Sequence, residues 1–145
     1  MTHDAILETR EAFGEVTVIA DPGRIVDLCR YLKSSEKFVR LSAVTAVDWH
    51  PGEPRFEVIY HLHSIDNNAR LRVKCRLSGN EPAIDSVCEV WRGANWYERE
   101  VFDMFGIQFR HHPNPVRILM PIDWEGYPLR KDYPVHGHKY DYSQE

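Results

Sequence analysis

The stretch RFEVIYHLHS-IDNNA-RLRVKCRL, residues 55 to 77, alternates so regularly that few folds accommodate it. Leu71, Val73, Cys75 and Leu77 point one way, and Arg70, Arg72, Lys74 and Arg76 point the other. Successive side chains of a strand face opposite sides of a sheet, so this segment has one buried face and one wet face. Phe56, Val58, Tyr60 and Leu62 repeat the pattern before the turn-rich Asp66, Asn67 and Asn68. The two runs therefore read as a hairpin. The fold class that follows is α+β, a mostly antiparallel sheet with helices covering its apolar face.

The flanking segments supply the other elements. Residues 3–13 read as a helix with a weak stripe of Ala5, Ile6 and Phe13, stopped at Gly14. Residues 15–20 alternate as a short strand, with Val16, Val18 and Ala20 on one face. Asp21 caps a helix with Pro22 at its first position, and Ile25, Leu28, Cys29 and Leu32 follow at helical spacing. Residues 37–49 form a long strand. Ser86 and Glu89 make a capping box over a helical turn at 87–91. Asn95 and Glu98 make a second, opening a helix from Trp96 to Phe105 that ends at Gly106 in the left-handed position. Its inner face carries Tyr97, Val101, Met104 and Phe105, and residues 107–109 make a short strand.

Beyond residue 110 the texture changes. Pro113, Pro115, Pro121, Pro128 and Pro134 exclude a helix or a central strand. The same segment holds Ile118, Leu119, Met120, Ile122, Trp124, Tyr127, Leu129 and Tyr133. Disordered tails lack such residues, because nothing offsets their exposure. The chain thus divides into an α+β domain, 1–110, and an extended proline-rich arm, 111–145, whose apolar side chains lie against a partner protein. The alternative is a clasp closing the arm onto its own domain, and the residues alone leave both open.

Other signals exclude functions. Cys29, Cys75 and Cys88 are odd in number, far apart and in no CxxC pair, against a disulfide framework, a zinc ribbon or an iron–sulfur site. The pairs His61/His63, His111/His112 and His136/His138 lack a third ligand at readable spacing, so no metal site is assigned. No Gly-rich phosphate loop is present. The first thirteen residues lack the apolar core of a signal peptide, and no apolar run reaches the ~18 residues a membrane span needs. Net charge is −4, giving no global case for nucleic acid. The basic strand face at 70–76 is the rival signal, for a free-standing nucleic-acid-binding module. The hairpin's aromatics point away from it, however, so a solvated or acidic-partner face fits better. On the charged helix, Arg99 and Asp103 are positioned to pair, flanked by Glu98 and Glu100, as a solvated or interfacial cluster. Arg130, Lys131 and Asp132 lie between prolines as a stiff polar turn.

These last segments, EREVFDMFGIQF (98–109), HPNPVRIL (112–119) and DWEGYPLRKDYP (123–134), resemble the 30 kDa subunit family of respiratory complex I. The family pattern is Glu-Arg-Glu, a further acid, two apolar residues, a His, then a basic and aliphatic pair. Glu98, Arg99, Glu100, Asp103, Met104, Phe105, His112, Ile118 and Leu119 fill it. Val116 departs from it, where a basic residue or proline is usual, and Arg117 follows. The resemblance implies a cofactor-free, non-catalytic subunit in the peripheral arm of a proton-translocating NADH:quinone oxidoreductase. FMN and iron–sulfur clusters would lie in partner subunits. The chain would pack against the 49 kDa-type large subunit through Glu98, Arg99, Glu100, Asp103, His112, Arg117, Trp124, Arg130, Lys131 and Asp132. It would sit peripherally on the cytoplasmic side of the inner membrane. A related membrane-bound hydrogenase or photosynthetic dehydrogenase would use the same subunit.

Overall fold

Five strands form one sheet in the order β1-β2-β5-β4-β3. A computed structural model describes residues 5–134. The expected hairpin forms: β4 (Phe56–Ser64) pairs antiparallel with β5 (Ala69–Leu77), from Phe56 opposite Leu77 to Ser64 opposite Ala69. β3 (Arg40–Asp48) pairs antiparallel with the other edge of β4.

Two expectations change at the opposite edge. Within the described residues, the helix placed at 3–13 is instead a strand, β1 (Ile6–Ala12). It pairs antiparallel with β2 (Glu15–Ala20) across Phe13 and Gly14, both at positive φ. Two such residues make the tight turn whose twist suits a hairpin. The supposed apolar stripe never forms one face: Ala5 is in the core, while Phe13 is fully exposed at the turn. The second change is that β2 runs parallel to β5, so the sheet is mixed. Parallel neighbours need a long crossover; here it contains α1 (Ile25–Ser34) and the strands β3 and β4.

α1 follows a 3-10 turn at Pro22–Arg24, where the Asp21 carboxylate accepts from the Gly23 amide at 3.0 Å. Its buried residues are the four the periodicity picks out, Ile25, Leu28, Cys29 and Leu32. They share one cluster with Phe56, Val58, Tyr60, Leu62, Val73 and Cys75, and with Val101 and Phe105 of α2 (Ala94–Phe105). Both helices therefore cover the apolar sheet face, as alternation demands. A small parallel pair, β6 (Ala83–Asp85) and β7 (Gln108–Arg110), brackets α2. Among the described residues the arm, 111–134, contains turns and bends but no helix or strand. His136, His138 and the rest of 135–145 lie outside the described residues.

Candidate functional site

α2 carries two carboxylates that the sequence places at a solvated or interfacial cluster. Both Glu98 and Asp103 are fully buried. Five residues apart, they point about 140° from each other around the helix axis. Glu98 lies on the side of Ala94, Val101 and Phe105. Asp103 lies on the side turned away from the sheet, and the arm crosses over it.

Glu98 closes the loop between β6 and α2. Its Oε1 accepts from the Ser86 hydroxyl at 2.6 Å and the Cys88 thiol at 3.2 Å. Its Oε2 accepts from the Val87 amide at 2.9 Å. These demands explain why neither capping box forms. Ser86 is bound to Glu98 and to the Cys88 amide rather than to Glu89, whose carboxylate pairs with Arg30. The helix starts earlier, with Gly93 as its cap and no side-chain cap bond. Burial raises the Glu98 carboxyl above the ordinary carboxylate range, against the pull of those three donors and of His112.

His112 stands 3.8 Å from Glu98, with its ring nitrogens already assigned. Nδ1 accepts from the Asn114 amide at 2.9 Å, so the ring proton sits on Nε2 and is given to the Asn95 carbonyl at 3.1 Å. Donor atoms of Cys88, Glu98 and His112 lie within 4.8 Å of one another, the third ligand that linear spacing hid. The set does not suit a metal. The nearer histidine nitrogen carries its proton, both Glu98 oxygens are occupied, and burial pushes the Cys88 thiol up to about 12, away from the thiolate a metal needs.

Asp103 organises the arm. Its Oδ2 accepts from three successive amides, Ile118 at 3.1 Å, Leu119 at 2.6 Å and Met120 at 2.8 Å. Its Oδ1 meets the Arg117 guanidinium at 2.8 Å. Consecutive N–H groups converging on an anion form a nest, and the low dielectric strengthens each bond. The local Arg99–Asp103 pair expected from i, i+4 spacing is displaced, because Asp103 is saturated from the arm. Arg99 instead donates to the Val116 and Arg117 carbonyls. Since residue 116 is held by its backbone, Val116 in place of a cation costs none of these bonds. Arg117 also donates to the Gly126 carbonyl and stacks on the Tyr127 ring.

A second clasp joins the arm to the β3–β4 end. Arg130 donates to the Phe105 carbonyl at 2.6 Å and stands over the rings of Phe56 and Tyr127. Asp48 accepts from the Lys131 amide at 2.8 Å and from Arg55, which also meets Asp132 at 2.9 Å. Burial opposes the Asp48 charge, but Arg55 and the Lys131 and His50 amides together hold its carboxyl well below the usual range. Gly106 is needed twice here. Its φ is +78°, and a Cβ would stand 2.6 Å from both Arg130 and the Tyr127 ring. Trp124 is half-buried and donates to the Tyr133 hydroxyl. Glu100 is part-exposed, with no hydrogen bond or ion pair among the described residues.

Sequence reasoning missed Asp48 and Arg55. The available signal was parity: Asp48 pairs with Phe56 and falls on the side of Val44, a carboxylate on the buried face that must find partners.

With Arg117 and Arg130 turned inward, the arm leaves Val116 at 43%, Leu119 at 52%, Ile122 at 87% and Leu129 at 55% exposure. Leu119 and Leu129 also border an apolar cleft of about 300 Å³ with Val44, Val101 and Met104.

The molecule is thus an α+β domain bearing a latched, irregular arm with an aliphatic outer edge. Two solved structures share the fold. The trypsin-resistant fragment of Nqo5 matches at TM-score 0.69 and 27% identity, covering 74% of this chain and 88% of the fragment. A chain of the membrane-bound sulfane sulfur reductase, an archaeal respiratory membrane complex, matches at TM-score 0.73 and 28% identity, covering 88% of this chain and 77% of its own. The family model for the respiratory-chain NADH dehydrogenase 30 kDa subunit matches residues 18–139, and the chain belongs to that family. The C subunit of NADH-quinone oxidoreductase from Geotalea uraniireducens is 50% identical over 133 residues, 92% of this chain and 81% of the relative. Its counterpart from Geobacter sulfurreducens is 51% identical over 134 residues, 92% of this chain and 83% of the relative.

Proposed function

We propose that this chain is a structural, cofactor-free subunit of the peripheral arm of a proton-translocating NADH:quinone oxidoreductase. It packs against the large 49 kDa-type subunit beside the quinone site and faces the cytoplasm. The observation that carries the docking role is the arm itself. Its Arg117, Arg130 and Asp132 are satisfied internally, so Leu119, Ile122 and Leu129 are presented at fixed positions with a reduced ordering cost on association. The family match and the NADH-quinone oxidoreductase relatives support the complex. Among the described residues no helix is long and apolar enough to cross a membrane, which agrees with peripheral attachment.

The chain itself contributes no catalytic group. Glu98 and Asp103 are saturated with hydrogen bonds and closed to substrate. Cys29 and Cys75 are buried with their thiols pushed up by burial, unsuited to hold a cluster. FMN and iron–sulfur clusters then belong to partner subunits. The likeness to the sulfane sulfur reductase chain keeps a second membrane complex as the competing host; neighbouring genes for the electron-input subunits separate the two.

The test is a gentle-detergent pull-down from native membranes using the tagged full chain and its Leu119→Ser/Ile122→Ser variant. The wild type should bring down a large partner subunit and quinone-reducing activity, and the variant should not, although both fold alike. The purified chain alone should show no visible absorbance and no NADH oxidation. A stoichiometric flavin or cluster on it, or unimpaired capture by the variant, would overturn the assignment.

A further inference from the structure

The wet face of the sheet divides into two electrostatically different ends. At one end the basic stripe is neutralised: Lys74 and Arg76 both approach the buried Glu57, at 3.7 and 3.5 Å. At the other end cations outnumber acids. Arg40, His63 and Arg70 stand side by side on β3, β4 and β5, since His63 is paired in register with both arginines. In a neighbouring row His61 pairs in register with Arg72. Arg40 and Arg70 make no hydrogen bond or ion pair among the described residues, and both are exposed. Arg72 alone is engaged, with Glu15 at 3.0 Å.

This end is concave. A cleft of about 230 Å³ crosses four strands, lined by Glu15, Ser42, His61, Arg70 and Arg72. Ser42 occupies the irregularity in β3, where pairing slips between Leu41 and Ala43. An extra residue at a bulge is left out of the ladder and re-aims its side chain; here it adds a hydroxyl to the cationic wall. Burial first, then Arg72, depresses the His61 imidazole, against the pull of Glu15. A concentration of unpaired guanidinium groups in a chain of net charge −4 is the reverse of what its totals favour.

We infer that this cleft is a second docking site, which takes an acidic segment of a partner protein by pairing its carboxylates with Arg70, Arg72 and Arg40. Arginine presents a planar fork suited to carboxylate. Arg40, His63 and Arg70 lie on adjacent strands, about 4.8 Å apart across the sheet, a spread matched to two or three acids of an extended peptide. Nucleic acid is disfavoured because Phe56 and Tyr60 of the hairpin, its large aromatic rings, are buried on the other face and cannot stack on bases. That the segment belongs to another subunit of the complex rests on the function proposed above; the capture of an acidic segment does not.

Two experiments separate those claims. On the purified full chain, fluorescence anisotropy follows a labelled octaglutamate peptide at about 20 mM salt, where exposed charges still act over ~20 Å. Wild type should bind. Arg70→Gln/Arg72→Gln should weaken binding at least ~10-fold and Arg40→Gln ~3-fold, on the scale of one charge-assisted contact each. The charge-matched Arg92→Gln/Arg110→Gln variant, on other elements, should change it less than ~2-fold. No binding by wild type, equal loss in the two double variants, or tighter binding of a single-stranded oligothymidylate would overturn the inference. In the assembled complex, Arg70→Lys keeps the cation and adds an amine. Carbodiimide should then link position 70 to an aspartate or glutamate of another subunit. Peptide binding without that link would retain the acid-binding cleft and remove its place in the complex.

Discussion

The sheet and the arm solve opposite problems. In the sheet, apolar residues turn inward and cations face water: Val73 and Cys75 are buried, while Arg70 and Arg76 at alternate positions of the same strand are exposed. In the arm three of the charges turn inward, while Asp123, Glu125 and Lys131 stay exposed. Arg117 reaches Asp103, Arg130 reaches the Phe105 carbonyl and Asp132 reaches Arg55, while Leu119, Ile122 and Leu129 face outward. A sheet gains order from burying apolar surface. A proline-broken segment with no ladder gains it from charge-assisted hydrogen bonds on its backbone, which frees its aliphatic groups for another surface. Part of the family pattern thereby acquires a physical meaning: in this chain Asp103 and Arg99 seat the arm, while Glu98 holds the loop between β6 and α2.

The largest test removes the nest. Asp103→Ala leaves Arg117 and three amides without their acceptor, and breaking a buried pair from one side costs about 3–5 kcal/mol. The amides of Ile118, Leu119 and Met120 should lose hydrogen-exchange protection while those of β4 and β5 keep theirs. Simultaneous loss in both regions would show that arm and sheet are one cooperative unit and would break the contrast. Next in size is Gly106→Ala. Left-handed strain and a Cβ at 2.6 Å from Tyr127 and Arg130 should cost about 1–3 kcal/mol, read from urea unfolding, and should detach the second clasp.

Acid titration sharpens the comparison by separating the two kinds of carboxylate. Asp48 in the clasp has its folded value held below the ordinary 3.8. Its contribution is complete above pH 3.8 and is lost as pH falls toward the folded value. Glu98 is raised above its ordinary 4.5 by burial. Its protonated form is favoured by folding, so stability from this group falls as pH rises above 4.5 toward the folded value. The windows do not overlap. Glu98→Gln should flatten the stability profile above pH 4.5 and leave the acid limb below 3.8, whereas Asp48→Asn should do the reverse. Denaturant midpoints across pH 2.5–7 would decide, and a single shared limb would defeat the assignment.

What the sequence disclosed follows the same division. The hairpin and α1 were legible because a period of 2 or 3.6 is a local property, visible in Val73 and Cys75 or in Leu28 and Leu32 without knowing any partner. β1 was misread because seven mostly exposed residues carry almost no pattern, and its identity comes from pairing with β2. The seats of Glu98 and Asp103 were invisible for a related reason. Helical spacing offered Asn95 and Arg99 as local partners, but the partners that hold those acids are Ser86, Val87 and residues 117–120. Long-range polar bonds leave no periodic trace, so only the burial parity of Asp48 hinted that an inward charge awaited a mate.

The smallest expected effect on the free chain falls on the most exposed side chain of the arm's outer edge. Ile122 is 87% exposed, so Ile122→Ser removes little buried area and should alter stability by less than about 0.5 kcal/mol. Removing the whole arm is a poorer probe, because it also strips Asp103 and Asp48 of their partners. The serine variant leaves every clasp intact and alters only the outward edge. Chemical denaturation should superimpose on wild type, yet assembly from membranes should fall, since an aliphatic side chain buried at an interface is worth roughly 1.5–3 kcal/mol. Equal assembly with equal stability would mean that this edge meets no partner, and the inward charges of the arm would then serve only to close the domain on itself.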